Sequence, residues 1–172
     1  MGFAGREAVR FAERIPFHYL CHGTSHYGEW VSWRTLPIGP PKPTMLRLEE
    51  AGMRRHAEAL WGRWRPSATV ETYDISGHRI MLVLGRPVGC LATTCRPDGI
   101  TIRRLFIAAE HQNRGIGTVA LRDVVSRAER AGVPVRLSVL TTNPALRLYK
   151  REDFTLEAET TERRHLVRIS RT

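Results

Sequence analysis

The sequence predicts one α/β domain of the α+β kind, a single mixed and mostly antiparallel sheet flanked by helices. Three observations predict it. Residues 79–108 hold three strand-like runs joined by tight turns. A helical stretch follows at about 115–131, with an apolar residue every fourth position. A buried strand, a short helix and two closing strands complete the order, which suits helices packed on one sheet.

Each element has its own warrant. "MLRL", from Met45, reads as a short strand. Met53, Ala57, Leu60, Trp61 and Trp64 then recur at helical spacing. "RIMLVL" (79–84) and "VGCLATTC" (88–95) read as strands joined at Gly85-Arg86-Pro87. Pro97-Asp98-Gly99 is a turn signal, and "ITIRRLFIA" (100–108) follows as the third strand of a meander. In the next helix Ile116, Ala120, Val124 and Ala128 share a face, and Gly132 ends it. "VRLSVLT" (135–141) reads as a buried strand. Asn143 suits an N-cap and Pro144 a first helical position. "FTLEAE" and "RHLVRIS" close the sheet.

Residues 1–44 read as an N-terminal extension ending in the stiff run "PIGPPKP", with the domain proper at 45–172. His18, His22 and His26 have metal-ligand spacing on a helix, but Gly23, Thr24, Ser25 and Gly28 argue against that helix, so no metal is expected. The net charge is +10, carried by arginine, since the only lysines are Lys42 and Lys150. The arginines are spread along the chain and form no block, so nucleic acid is not the expected partner. Cys21, Cys90 and Cys95 make no disulfide pattern, which suits a reducing cytoplasm. No apolar run reaches membrane-spanning length, and the first residues lack the apolar core of a signal peptide. A homodimer is compatible with the sequence.

"HQNRGIG" (111–117) carries the chemistry. It leaves a strand and opens a helix whose first amides lack backbone partners and whose dipole end is positive. Gly115 and Gly117 remove side chains that would hold a phosphate away, and Arg114 adds charge, so the loop reads as a pyrophosphate site. A dinucleotide fold would need an acid about 20 residues on, and Leu140-Thr141-Thr142 stand there. A Walker loop would need Gly-Lys-Ser/Thr, which is absent.

The loop does not stand alone. Gln112-Asn113-Arg114-Gly115-Ile116-Gly117, with Asn143, Ala145, Leu148, Tyr149 and Phe154 at a fitting distance, resembles the two motifs of the GCN5-related N-acetyltransferase (GNAT) superfamily. The resemblance spans roughly 45–170 and is strongest over 100–154. It implies an acyl-CoA N-acyltransferase-like fold and acetyl-CoA as co-substrate, with no metal. Acetyl-CoA is expected in an opening between the strand ending near Ile107 and the strand 135–141. Backbone amides of 113–118, including Thr118, would hold the pyrophosphate. Leu105, Phe106 and Ile107 would pair with the pantetheine arm, and one amide there would polarise the thioester carbonyl. Gln112 belongs to the loop, Asn143 would orient the cofactor near the sulfur, and Tyr149 would protonate the departing thiolate.

Two positions depart from the family pattern. Asp153 stands where Gly often precedes the final Phe. The third meander strand carries Thr101, Ile102, Arg103 and Arg104 where many members place a glutamate base. Asp74, Glu110 and His165 are the remaining candidates for that base, beside a water chain or an amine that arrives neutral. Trp61, Trp64, Tyr73 and His165 are candidates to line an acceptor pocket, with Trp61 expected rather to pack its helix onto the sheet. The expected function is acetyl transfer to a primary amine of a small molecule or protein whose identity the sequence does not name. A polycationic acceptor would want clustered acids, and few are present. The competing readings are a non-catalytic acyl-CoA-binding sensor or scaffold and a basic nucleic-acid-binding module.

Overall fold

The computed structural model describes the backbone of residues 31–34 and, with side chains, residues 42–170. Among these, seven strands form one sheet: β1 (Val31–Arg34), β2 (His78–Val83), β3 (Arg86–Arg96), β4 (Gly99–Ile107), β5 (Val135–Leu140), β6 (Thr155–Glu159) and β7 (Arg163–Arg168). Their order is β1-β2-β3-β4-β5-β7-β6. Every neighbouring pair is antiparallel except β4 and β5, which run parallel. The helices are α1 (Lys42–Trp61), α2 (Ile116–Ala131) and α3 (Leu146–Arg151). α2 is the crossover that a parallel β4–β5 pair requires. No helix among the described residues is long and apolar enough to cross a membrane.

The sheet is covered on both faces, and strand alternation decides what each helix meets. Ile80, Leu82, Cys90 and Phe106 point to one face and pack with Met45 and Leu48 of α1 and with Tyr73. Leu91, Ile100, Ile102 and Leu137 point to the other and pack with Leu121, Val124 and Ala128 of α2. Ile102 and Phe106 are four apart on β4, so a regular strand would put them on one face. A bulge prevents this: Thr93 opposes Ile102, Ala92 opposes Arg104, and Arg103 is the extra residue.

Two turns are set by backbone conformation. Leu84 and Gly85 both have positive φ, 50° and 76°, and close the β2–β3 hairpin as a two-residue loop. The turn thus sits one residue earlier than the sequence suggested. Gly132 ends α2 in the left-handed region and donates its N–H back to Ala128 and Glu129. Gly89 answers a different need. It lies opposite Ile107, and a Cβ there would collide with the Phe106 carbonyl oxygen and come within 2.7 Å of Met81 Cε. Only glycine lets β3 lie this close to β4.

The N-terminal expectations need correcting. "MLRL" is helical, within α1, where Met45, Leu48, Glu49, His56 and Ala57 are buried along one face. Four residues of alternating character do not separate a strand from a helix turn. The boundary drawn at residue 45 falls inside α1. Before it, β1 pairs along β2 from Val31 opposite Val83 to Arg34 opposite Ile80, so the sheet uses residues of the supposed extension. The histidines at 18, 22 and 26 lie outside the described residues.

Candidate functional site

The site begins with a failure of pairing. β4 and β5 are paired only at Ile100–Val135, Thr101–Arg136 and Ile102–Leu137. Beyond the Arg103 bulge the strands part, and the β5-facing edge of Arg103–Ile107 has no strand partner among the described residues. That edge keeps backbone donors and acceptors for something other than a strand. Leu105, Phe106 and Ile107 line a cleft of about 580 Å³ at this opening.

The far wall of the cleft is the loop before α2 and the start of that helix. Asn113 and Gly115 have φ of 60° and 80°, so the loop turns twice through the left-handed region. Val119 donates to the Gly115 carbonyl at 3.0 Å, the first turn of the helix. The amides of Ile116, Gly117 and Thr118 come before it and have no intrahelical acceptor. Gln112, Asn113, Gly115, Ile116, Gly117 and Thr118 all line the cleft; Arg114 does not and is exposed. The Gln112 side chain donates to the Ile107 carbonyl at 2.9 Å, so it braces the loop against the end of β4. A Cβ on Gly117 would meet only Leu148 Cδ2, at 3.4 Å, so the fold itself does not demand glycine there. The free space at Gly117 opens toward the cleft.

Several lining residues were not read from the sequence. Arg55 and His56 of α1 and Arg147 and Arg151 of α3 add cations and a ring to the cleft. Arg147 and Arg151 are four apart on a helix and therefore share a face, a signal present in the sequence but not used. Burial, with Arg55 adjacent, lowers the His56 imidazole below its ordinary pKa.

A second cavity, about 770 Å³, opens on the other side of the same strand edge. Met53, Leu105, Phe106, Asn143 and Tyr149 line both, so the two meet there. Asn143 Oδ1 accepts from the Ala145 amide at 2.9 Å, which caps a turn ahead of α3; the helix proper starts at Leu146 rather than Pro144. Tyr149 is held edge-on against Phe154, with ring centroids 6.0 Å apart. Burial pushes its phenol up to about 12, so it stays protonated at neutral pH.

The second cavity is walled by the end of α1 and the segment after it. Trp61 and Trp64 line it. Trp61 does not pack α1 onto the sheet, as expected of it; it is 39% exposed and its Nε1 donates to Glu162 Oε1 at 3.0 Å. Glu49 is the buried carboxylate of the wall. It accepts from the Ser67 amide and hydroxyl at 3.3 and 2.9 Å, with Arg104 3.9 Å away. Glu49 is not among the residues that the sequence reading singled out. Read as a helix, Met45, Glu49, Met53 and Ala57 form a stripe with one charge on its apolar face.

Four sequence candidates fall away from the cavity. Tyr73 is 2% exposed in the α1-side core, under the Arg104 guanidinium, and burial drives its phenol well above the usual range. His165 sits on β7 opposite Ser138 and lines neither space. Asp74 is bonded to Ser76 and to Arg103 at 2.7 Å, which holds its carboxyl well below the carboxylate range and leaves it a poor base. Glu110 lies in an exposed 3-10 turn. Cys90 is wholly buried, and its thiol is pushed up to about 12, so it is no nucleophile.

A family model described as an acetyltransferase (GNAT) domain matches residues 77–156. No curated protein matches the whole sequence significantly. Solved structures do. The ribosomal-protein-S18-alanine N-acetyltransferase of Escherichia coli superposes with a TM-score of 0.64 at 17% identity, over 83% of this chain and 96% of that one. The PaiA N-acetyltransferase of Thermoplasma acidophilum, in complex with coenzyme A, gives 0.63 at 12%, over 81% and 98%. A GNAT family acetyltransferase of Elizabethkingia anophelis with acetyl-CoA bound gives 0.60 at 17%, over 83% and 99%. Identities this low speak for the fold, and the family match speaks for its central part. Over residues 77–156 the sequence matches the GNAT acetyltransferase domain model, and the described residues share the fold of the acetyltransferases they superpose on.

Proposed function

We propose that this protein transfers an acetyl group from acetyl-CoA to a primary amine. The observation that carries the reading is the junction of the two cavities at Leu105, Phe106, Asn143 and Tyr149. A donor held in one space and an amine held in the other would meet at a strand edge with unpaired backbone groups.

The residues suit the donor. The amides at the start of α2 and the loop turns at Asn113 and Gly115 are ready to receive a pyrophosphate. Arg55, Arg147 and Arg151 line the same cleft and match further phosphate charge. The edge of Leu105–Ile107 offers strand-like pairing to an extended arm. Bound acetyl-CoA supplies the acyl group as an activated thioester.

The chain's own groups then divide the work. An amide of the β4 edge, fixed before the reaction, donates toward the carbonyl oxygen as negative charge grows on it. Tyr149 keeps its proton at neutral pH and donates it to the departing sulfur. Glu49, the buried carboxylate in the acceptor wall, holds the incoming amine and takes its proton. Direct attack needs no enzyme nucleophile, which agrees with the buried and inert Cys90.

The first experiment is a thermal melt. Acetyl-CoA at a hundred times its Kd should stabilise the protein by about 2.7 kcal/mol, while NAD and a short duplex DNA should give no comparable shift. Thiol release with a panel of primary amines then reads turnover. A melt response to NAD or DNA and none to acetyl-CoA would overturn the reading. A response to acetyl-CoA without turnover of any amine would make the domain an acyl-CoA sensor.

A further inference from the structure

The charge of the acceptor cavity is one-sided. Its wall carries five arginines, Arg63, Arg65, Arg103, Arg104 and Arg163, against two glutamates, Glu49 and Glu162. Glu162 accepts from the Trp61 indole, and Glu49, which accepts from Ser67, keeps lone pairs for one more donor. Five arginines elsewhere, Arg54, Arg122, Arg136, Arg164 and Arg168, each reach a carboxylate within 3.0 Å. Arg103, at the cavity, is likewise spent on Asp74. Arg63 and Arg65 reach no carboxylate among the described residues, and Arg163 reaches only the Ser138 hydroxyl, at 3.4 Å.

The segment that carries Arg63 and Arg65 is tied down at both ends. Gly62 leaves α1 through the left-handed region, with φ of 70° and its N–H on the Glu58 carbonyl at 2.8 Å. Five residues later Ser67 is bonded back to Glu49 of α1. Between them Arg63, Trp64 and Arg65 stand on the cavity wall. Two arginines lining one wall with no carboxylate partner among the described residues can receive a carboxylate or phosphate.

We propose that the acceptor is a primary amine that also carries an anionic group, a carboxylate or a phosphate, with Arg63 and Arg65 receiving the anion while Glu49 receives the amine. The inference rests on the acetyl-transfer reading and adds the acceptor's chemical class to it. Polyamines and other polycations are excluded by the same charges.

The test compares acceptors of similar length: γ-aminobutyrate, 3-aminopropyl phosphate, butylamine, putrescine, and a short peptide with a free amino terminus and two acidic residues. The anionic amines should exceed butylamine in kcat/KM by about tenfold or more, with putrescine lowest, and the advantage should shrink as salt rises. The arms with carboxylate, phosphate and peptide identify the source of the anion. In the double variant Arg63→Gln/Arg65→Gln the ratio of anionic to neutral kcat/KM should fall about tenfold. Preference for butylamine or putrescine, or an unchanged ratio in the variant, would overturn the proposal. Should acetyl-CoA shift the melt but no amine turn over, 3-aminopropyl phosphate is titrated into the coenzyme A complex. A further shift lost in the double variant supports the anion site, and no shift refutes it. Failure of the donor reading shows separately, as absence of any melt response to acetyl-CoA.

Discussion

The two cavities share a boundary and are built on opposite principles. The donor cleft draws its backbone groups from one run, Leu105 to Thr118, as a strand edge, a turning loop and the open end of a helix, with side chains of α1 and α3 beside them. The acceptor cavity is made from side chains that the fold collects from α1, the segment after it, β4, β5 and the β6–β7 turn. Backbone recognition requires small residues at fixed spacing, so it leaves a motif. Side-chain recognition assembled from distant segments leaves none. One wall can therefore be read from a short string of letters, and the other only after the chain is folded.

Three substitutions test that division, and the largest effect belongs to the residue common to both spaces. Tyr149→Phe should lower kcat by about 10²- to 10⁴-fold while acetyl-CoA still stabilises the protein, because the phenol acts as the acid and not as a donor-binding group. Unchanged kcat would remove Tyr149 from the reaction. Gly117→Val should damage the donor cleft alone. Its branches would occupy the approach to the helix amides, so the stabilisation of about 2.7 kcal/mol at a hundred wild-type Kd should vanish while the apo protein still melts cooperatively. A shift that survives would move the phosphates away from the glycine loop. Glu49→Gln should damage the acceptor side alone, lowering kcat/KM by about 10²-fold with the acetyl-CoA shift intact. If that shift were lost as well, Glu49 would be a structural brace rather than an acceptor group, and the two cavities would not be separable.

The same contrast explains what was legible. The meander, α2 with its Gly132 stop and the closing strands follow from periodicity and turn chemistry, which are local. The glycine loop is local too. Two errors have one root in "MLRL", a window too short to choose between periods of 2 and 3.6. Reading it as the domain's first strand places a boundary inside α1 and hides the pairing of Val31–Arg34 with β2. Tyr73 and Trp61 were exchanged for a different reason. Both are aromatic, and composition cannot say that one lies under the Arg104 guanidinium while the other reaches Glu162 across 101 positions of sequence.

Gly89 extends the site beyond its lining. It touches neither cavity, yet it sets how near β3 lies to the Phe106 carbonyl, and Phe106 belongs to the strand edge both cavities share. Any side chain at 89 must push that edge. In genetic terms the position belongs with the site, and shortening Met81 or Ile107 would not suppress a missense change there, because the nearest clash is with the Phe106 backbone carbonyl itself.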